Sequence, residues 1–172
     1  MKIALILRGL PGSGKTTLLS KVSRIAPTIV HSTDDFFMDD GEYKFDIDKL
    51  GMFHKLNFKN FSISVEHNLP VVVCDNTNLA PKEYGNYVEA AKSNGYEVVA
   101  VVFEPHDIEF HMKRNTHNLP RETLERMLKR FSGSSVSVGV DKEFRDQDAD
   151  ALAKKVLNYI KSKQGENNVE IQ

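Results

Sequence analysis

The segment "GLPGSGKT", residues 9–16, fills every fixed position of the pattern G-x-x-x-x-G-K-[S/T]. Its surroundings are what the pattern requires physically. The apolar run "KIALILR" (2–8) precedes it, and the helical-period stretch "SGKTTLLSKVSRIA" (13–26) continues from it. Between a strand and a helix, glycines let backbone N–H groups come close to phosphate oxygens, and the helix N-terminus adds its partial positive charge. The expected cradle for ATP is Gly9, Pro11, Gly12, Ser13, Gly14, Lys15, Thr16 and Thr17. Lys15 is expected against the β- and γ-phosphates and the Thr16 hydroxyl on Mg²⁺.

Outward from this loop, apolar runs alternate with helical-period segments. "TIVHS" (28–32), "LPVVVCD" (69–75) and "YEVVAVVFE" (96–104) read as further strands. Residues 46–68 read as a long helix with Leu50, Phe53, Asn57 and Phe61 on one side and Gly51 as a mild weakness. A second helix starts at Pro81 and is capped by Gly95. Strands that are apolar throughout, rather than alternating, imply a parallel sheet covered on both faces. The expectation is a three-layer α/β/α P-loop fold. Residues 107–131 read as two helices broken near Pro120, forming a helical lid. A Ser/Gly segment (132–140) follows, then a closing helix over about 146–162 carrying Leu152, Val156, Leu157 and Ile160. One domain over 1–165 and a flexible polar tail over 166–172 complete the reading.

Composition sets outer bounds. In 172 residues, 40% hydrophobic and 27% charged content is that of a globular chain able to bury a core. A net charge of −1 supplies no general field for nucleic acid or anionic membrane. The single cysteine, Cys74, lies within an apolar run and reads as a buried small hydrophobe. The initial apolar run is short for a signal peptide, and no run approaches a membrane span, so a cytoplasmic chain is expected.

A phosphate loop alone does not separate kinases from other nucleotide hydrolases, so the remaining polar residues decide. No N-K-x-D guanine motif occurs, which disfavours a GTPase. Asp75 closes the third apolar run, at the strand end where parallel sheets carry ligands. It can orient Mg²⁺ there or simply cap the turn "NTNL". "STDD" (32–35) emerges on the same sheet edge, where Asp34 can cap a helix or take the proton of an acceptor hydroxyl. The stretch 111–130 holds six cationic side chains against two carboxylates. Arg114 and Arg121, flanking Pro120, are the candidates to close over the γ-phosphate, whereas Arg126, Lys129 and Arg130 suit a solvated helix face. The histidines show no metal-ligand spacing.

"LRGLPGSGKTT", "STDDFF…DGEYKFD", "HKLN", "DNTNL" and "RN…RETLERMLKRF" occur in this order. This series resembles the AAA-type P-loop kinase-like domain of the Nedd-binding-protein-like family, grouped with the 5′-hydroxyl polynucleotide kinases. The resemblance covers about residues 3–131. It implies an ATP- and Mg²⁺-dependent phosphotransferase with Asp34 as general base, Lys15 and Thr16 as ATP and Mg²⁺ ligands and Arg114 as a lid arginine. The implied acceptor is a 5′-hydroxyl polynucleotide end or a nucleotide-like molecule. An interaction module that binds ATP without an acceptor, or a kinase for a small metabolite or modified base, is the alternative. Asp35, His54, Asn57, Asn76 and Asn78 are implied on the acceptor side, although His54 and Asn57 equally suit a half-exposed helix face. The sequence departs from the polynucleotide kinases at Phe37, which stands where they place an acceptor-gripping arginine. Phe36 and Phe37 can stack on a base or fill the core, and core filling is the reading for Phe36.

Overall fold

The computed structural model describes residues 1–132 and 136–169. Five strands form one parallel sheet: β1 (Ile3–Arg8), β2 (Thr28–His31), β5 (Val71–Asp75), β6 (Glu97–Phe103) and β7 (Lys142–Asp146), in the order β2-β5-β1-β6-β7. The helices are α1 (Lys15–Val22), α2 (Ile47–Glu66), α3 (Pro81–Ser93), α4 (Ile108–Arg114), α5 (Arg121–Ser132) and α6 (Ala149–Val169). A two-stranded hairpin, β3 (Met38–Asp39) with β4 (Glu42–Tyr43), lies outside the sheet.

The period-2 alternation of side chains makes three layers from this order. Ile3, Leu5 and Leu7 of β1 face Leu18 and Val22 of α1 and Leu152, Val156 and Ile160 of α6. Ala4 and Ile6 face the opposite way, onto Phe61 and Val65 of α2 and Tyr84, Tyr87 and Val88 of α3. The expected α/β/α sandwich is therefore the observed one. All five strands run in the same direction, so β1, β2 and β5 deliver the segments after Arg8, His31 and Asp75 to one edge.

Element ends differ from expectation in ways that have local causes. Helix α1 stops at Val22, and the following turn satisfies its backbone through Ile25 and Ala26 N–H donating to Val22 O. Helix α3 ends in the anticipated manner, with Gly95 at φ +74 and Tyr96 N–H returning to Ala91 O. The edge strand β7, "KEFRD", carries one apolar residue, and so escapes a search for apolar runs. Its Arg145 pairs with Glu143 and Glu104 instead of joining a core. Helix α6 continues to Val169, so the backbone of 166–169, assigned above to the tail, is helical. Residues 133–135 of the Ser/Gly segment and 170–172 of the tail lie outside the described residues.

Arg8 ends β1 fully buried, its guanidinium donating to Asn78 O at 3.0 Å and to Ser137 Oγ at 2.8 Å. Its charged plane lies between the rings of Tyr84 and Phe131, at 5.0 and 5.5 Å. One side chain thus joins the strand end, the loop after β5 and the segment leading to β7. Arg8→Met should lower unfolding free energy by about 2–4 kcal/mol, because several buried acceptors lose their donor. Urea denaturation followed by circular dichroism measures this; a loss under about 0.5 kcal/mol, the range of ordinary surface changes, would contradict it.

Candidate active site

The loop after β1 turns sharply because two glycines adopt conformations closed to other residues. Gly12 (φ +76) lies so near α4 that a Cβ would sit 2.7 Å from Arg114 Cβ, and Gly14 (φ +103) caps α1. Gly14 makes no side-chain cap, so the first N–H groups of α1 are left facing the cleft. The cleft, of about 260 Å³, is walled by Pro11 to Thr17 on one side and by Asp34, Asp75, Asn76, Arg114 and His117 on the others. Of the cradle residues expected above, Gly9 alone does not line it. It packs under the loop, where a Cβ would meet Phe103 Cβ at 2.8 Å.

Lys15 Nζ donates to Gly9 O at 3.0 Å and Leu10 O at 3.1 Å, so the loop's own carbonyls hold the ammonium over the cleft. Burial lowers its pKa from the ordinary lysine value, and the carboxylates of Asp75 and Asp34 oppose that shift. Asp75 is pushed up by burial, with Lys15 opposing and Asp34 and Asp35 reinforcing. Asp75 Oδ1 is buried and has no hydrogen-bond partner in the protein. An orphaned carboxylate oxygen and the Thr16 hydroxyl, both lining the cleft, are oxygen ligands of the kind a hard divalent cation takes. These residues fit Mg²⁺. Neither here nor elsewhere among the described residues does a group of three or more His, Cys, Asp or Glu converge.

Asp34 lies in a single turn of 3₁₀ helix, Thr33–Phe37, and its carboxylate is exposed toward the cleft. Ser32, at the helix start, makes no side-chain cap, and Thr33 N–H is held instead by Asn76 Oδ1 at 3.0 Å. Asp34 Oδ1 accepts from Tyr43 Oη at 3.1 Å, and Oδ2 lies 3.6 Å from His117 Nε2. Asp35 is exposed next to it, and burial and the Asp34 charge both raise its pKa.

The lid docks directly on the phosphate loop. His111, fully buried in α4, donates from Nδ1 to Pro11 O at 2.9 Å, while Nε2 accepts from His106 N–H at 3.2 Å. Arg114 Nε donates to Gly12 O at 3.0 Å, and Phe110 lies beneath its guanidinium at 5.0 Å. Arg121 does not join them: it pairs with Glu109 and Glu125 on the outer face and lines no part of the cleft.

Three acceptor-side assignments need correction. Asn57 is 1% exposed and donates to His31 O and Tyr87 Oη, which makes it part of the framework between α2 and α3. Asn78, also 1% exposed, holds φ +47 and donates to Leu7 O at 2.7 Å, locking the turn after β5 beneath the loop. Phe37 is 3% exposed and packs on Tyr43, Phe45 and Phe53, whereas half-buried Phe36 stacks on Phe53. Core filling therefore belongs to Phe37 more than to Phe36. His54 stays exposed, with Nδ1 at 3.1 Å from Thr33 Oγ1. His117 and Tyr43 were not anticipated. The hairpin signal was present as "DDGEY", with Asp40 and Gly41 at positive φ, but its reach to Asp34 is tertiary.

A family model described as an AAA domain matches residues 5–133. The chain belongs to the AAA domain family. It is 32% identical over 136 residues to human NEDD4-binding protein 2, covering 75% of this chain and 8% of that protein, so it spans under a tenth of that relative's length. Among solved structures, a chain of the Pnkp1/Rnl/Hen1 RNA repair complex superposes with a TM-score of 0.64 at 19% identity, over 78% of this chain and 45% of that one. A gluconokinase from Sinorhizobium meliloti 1021 gives 0.60 at 16%, over 98% and 97%. The P-loop kinase-like resemblance and the fold are borne out. No helix among the described residues is long and apolar enough to cross a membrane.

Burial holds His31 and His111 below the ordinary imidazole pKa of 6.5. A lowered histidine favours the neutral form in the fold. The stability it contributes is complete above 6.5 and is lost as the unfolded chain takes up protons below it. Urea midpoints should therefore fall between pH 7.5 and pH 5.5, and His111→Gln should shallow that fall. Equal pH slopes for both proteins would remove His111 from the effect.

Proposed function

We propose that this domain is an ATP- and Mg²⁺-dependent phosphotransferase acting on a hydroxyl, most consistently a 5′-hydroxyl polynucleotide end or a nucleotide-like acceptor. The observation that carries this reading is the single cleft shared by Lys15, Thr16, Asp75, Arg114 and the exposed carboxylate of Asp34. A nucleotide-binding site with no acceptor chemistry has no use for an unburied carboxylate facing its phosphate end.

The loop N–H groups and the N-terminus of α1 bind and orient the triphosphate of ATP. Lys15 and Arg114 neutralise charge on the transferring group from opposite sides of the cleft. Thr16 and Asp75 would hold Mg²⁺, which would screen phosphate charge when bound. Asp34 takes the proton from the acceptor hydroxyl while that oxygen bonds to the γ-phosphorus. The bond from the γ-phosphorus to the bridging oxygen breaks, and ADP leaves with its electron pair. Positioning and charge screening supply most of the rate. A second reading, an ATP-binding module with slow hydrolysis and no acceptor, is favoured by one observation: Phe37 is turned into the core and grips nothing.

Radiolabelled ATP incubated with 5′-hydroxyl DNA, 5′-hydroxyl RNA, nucleosides, modified bases and small hydroxylated metabolites separates the two. Label is expected on an oligonucleotide or nucleoside; label released only as phosphate would favour the module. Asp34→Asn should lower turnover by roughly 10²–10⁴ with ATP affinity retained. Full turnover would remove Asp34 from the chemistry. Lys15→Ala should weaken ATP binding and activity together, and unaltered ATP affinity would contradict the loop assignment.

A further inference from the structure

Two side chains outside the phosphate loop, one from the hairpin and one from the lid connection, converge on Asp34. Tyr43, on β4 of the hairpin, donates its hydroxyl to Asp34 Oδ1 at 3.1 Å. Burial and the neighbouring Asp34 carboxylate both raise the Tyr43 pKa, so the phenol remains a donor at any physiological pH. His117, in the α4–α5 connection of the lid, brings Nε2 to 3.6 Å from Asp34 Oδ2. The two rings also lie against each other, with centroids 4.0 Å apart. The hairpin, the lid connection and the exposed carboxylate therefore form one closed contact, although 74 residues separate Tyr43 from His117.

The oxygens of Asp34 are not equivalent in this arrangement. Oδ1 is occupied by a neutral donor that leaves the negative charge in place. Oδ2 faces His117 on the lid connection at 3.6 Å and is the oxygen that Tyr43 leaves open to an acceptor hydroxyl. Tyr43 itself is held by Phe37, whose ring packs on it at 5.9 Å, so the donor is built on a packed base and not on a mobile loop.

We infer that Tyr43 is a positioning residue that fixes the Asp34 carboxylate with Oδ2 toward the acceptor, and that His117 latches the lid onto that carboxylate until an acceptor displaces it. The inference rests on Asp34 being the base, but its contact geometry is measurable without turnover.

The whole chain serves for both tests. Trypsin cleavage after Lys113, Arg114 and Arg121 reports how tightly the connection 115–120 is held. Asp34→Asn and Tyr43→Ala should each speed that cleavage several-fold, with Tyr43→Phe, which keeps the ring, close to the parent. Cleavage unchanged in both Asp34→Asn and Tyr43→Ala overturns the latch. In phosphoryl transfer to a 5′-hydroxyl oligonucleotide, Tyr43→Phe should lower kcat about tenfold, the worth of one hydrogen bond to a charged group, with the KM for ATP unchanged. A parental kcat in Tyr43→Phe overturns the positioning role. Full turnover in Asp34→Asn with accelerated cleavage would instead sink the base assignment alone, leaving the latch.

Discussion

A buried ammonium needs compensation from fixed partners, and much of this molecule is arranged around Lys15 for that reason. Desolvation works against its charge. Two carbonyls of its own loop accept from it, and Asp75 stands at the neighbouring strand end. After those carbonyls the backbone passes through positive φ at Gly12 and Gly14, which brings the loop round to Lys15 at the start of α1. Asp75 is in register only because β5 pairs with β1 so that Leu7 lies opposite it. Sheet order, loop composition and the charge balance of the site are therefore one constraint seen at three scales. An incoming triphosphate finds at Lys15 an ammonium already partly withdrawn from water, which strengthens its interaction with that charge.

The lid belongs to the same constraint. His111 and Arg114 bond to carbonyls at Pro11 and Gly12, within the loop itself. A lid attached at these points cannot move without altering the loop's hydrogen bonding. Loop conformation and lid position are mechanically joined, and neutrality of the buried imidazole preserves the acceptor at Nε2 that receives His106 N–H. Arg114 reaches the cleft with its stem against Gly12 and its guanidinium over Phe110. The glycine at position 12 thus serves the lid as well as the turn.

Whatever depends on short-range pattern was legible in the chain. The apolar strands, the phosphate loop, Asp75 and the helix break near Pro120 announce themselves by local composition, whereas "STDD" alone reads as a helix cap and Asp34 stands out only beside them and the family resemblance. What was missed depends on partners distant in sequence. Strand β7 is charged because an edge strand needs one covered face and satisfies the rest with ion pairs. Asn57 and Asn78 look like binding residues because polar side chains are normally exposed. Here each is buried and donates to a backbone carbonyl near a strand end, Asn57 to His31 O and Asn78 to Leu7 O. Arg121 follows the break as a lid arginine would, but Glu109 and Glu125 hold it on the outer face.

Phe37 shows most clearly how packing can redirect a functional position. A polynucleotide kinase-like chain is expected to place a cation there, pointing at the acceptor. A phenylalanine at the same place cannot stay in water at low cost, since burying such a ring is worth about 1.5–3 kcal/mol. It turns inward and gathers Tyr43, Phe45 and Phe53 around itself. That cluster brings the β3–β4 hairpin down beside the 3₁₀ turn, and with it the hydroxyl that bonds Asp34. At position 37 the chain carries a buried ring in place of a positive charge, and the Asp34 carboxylate gains a neutral donor.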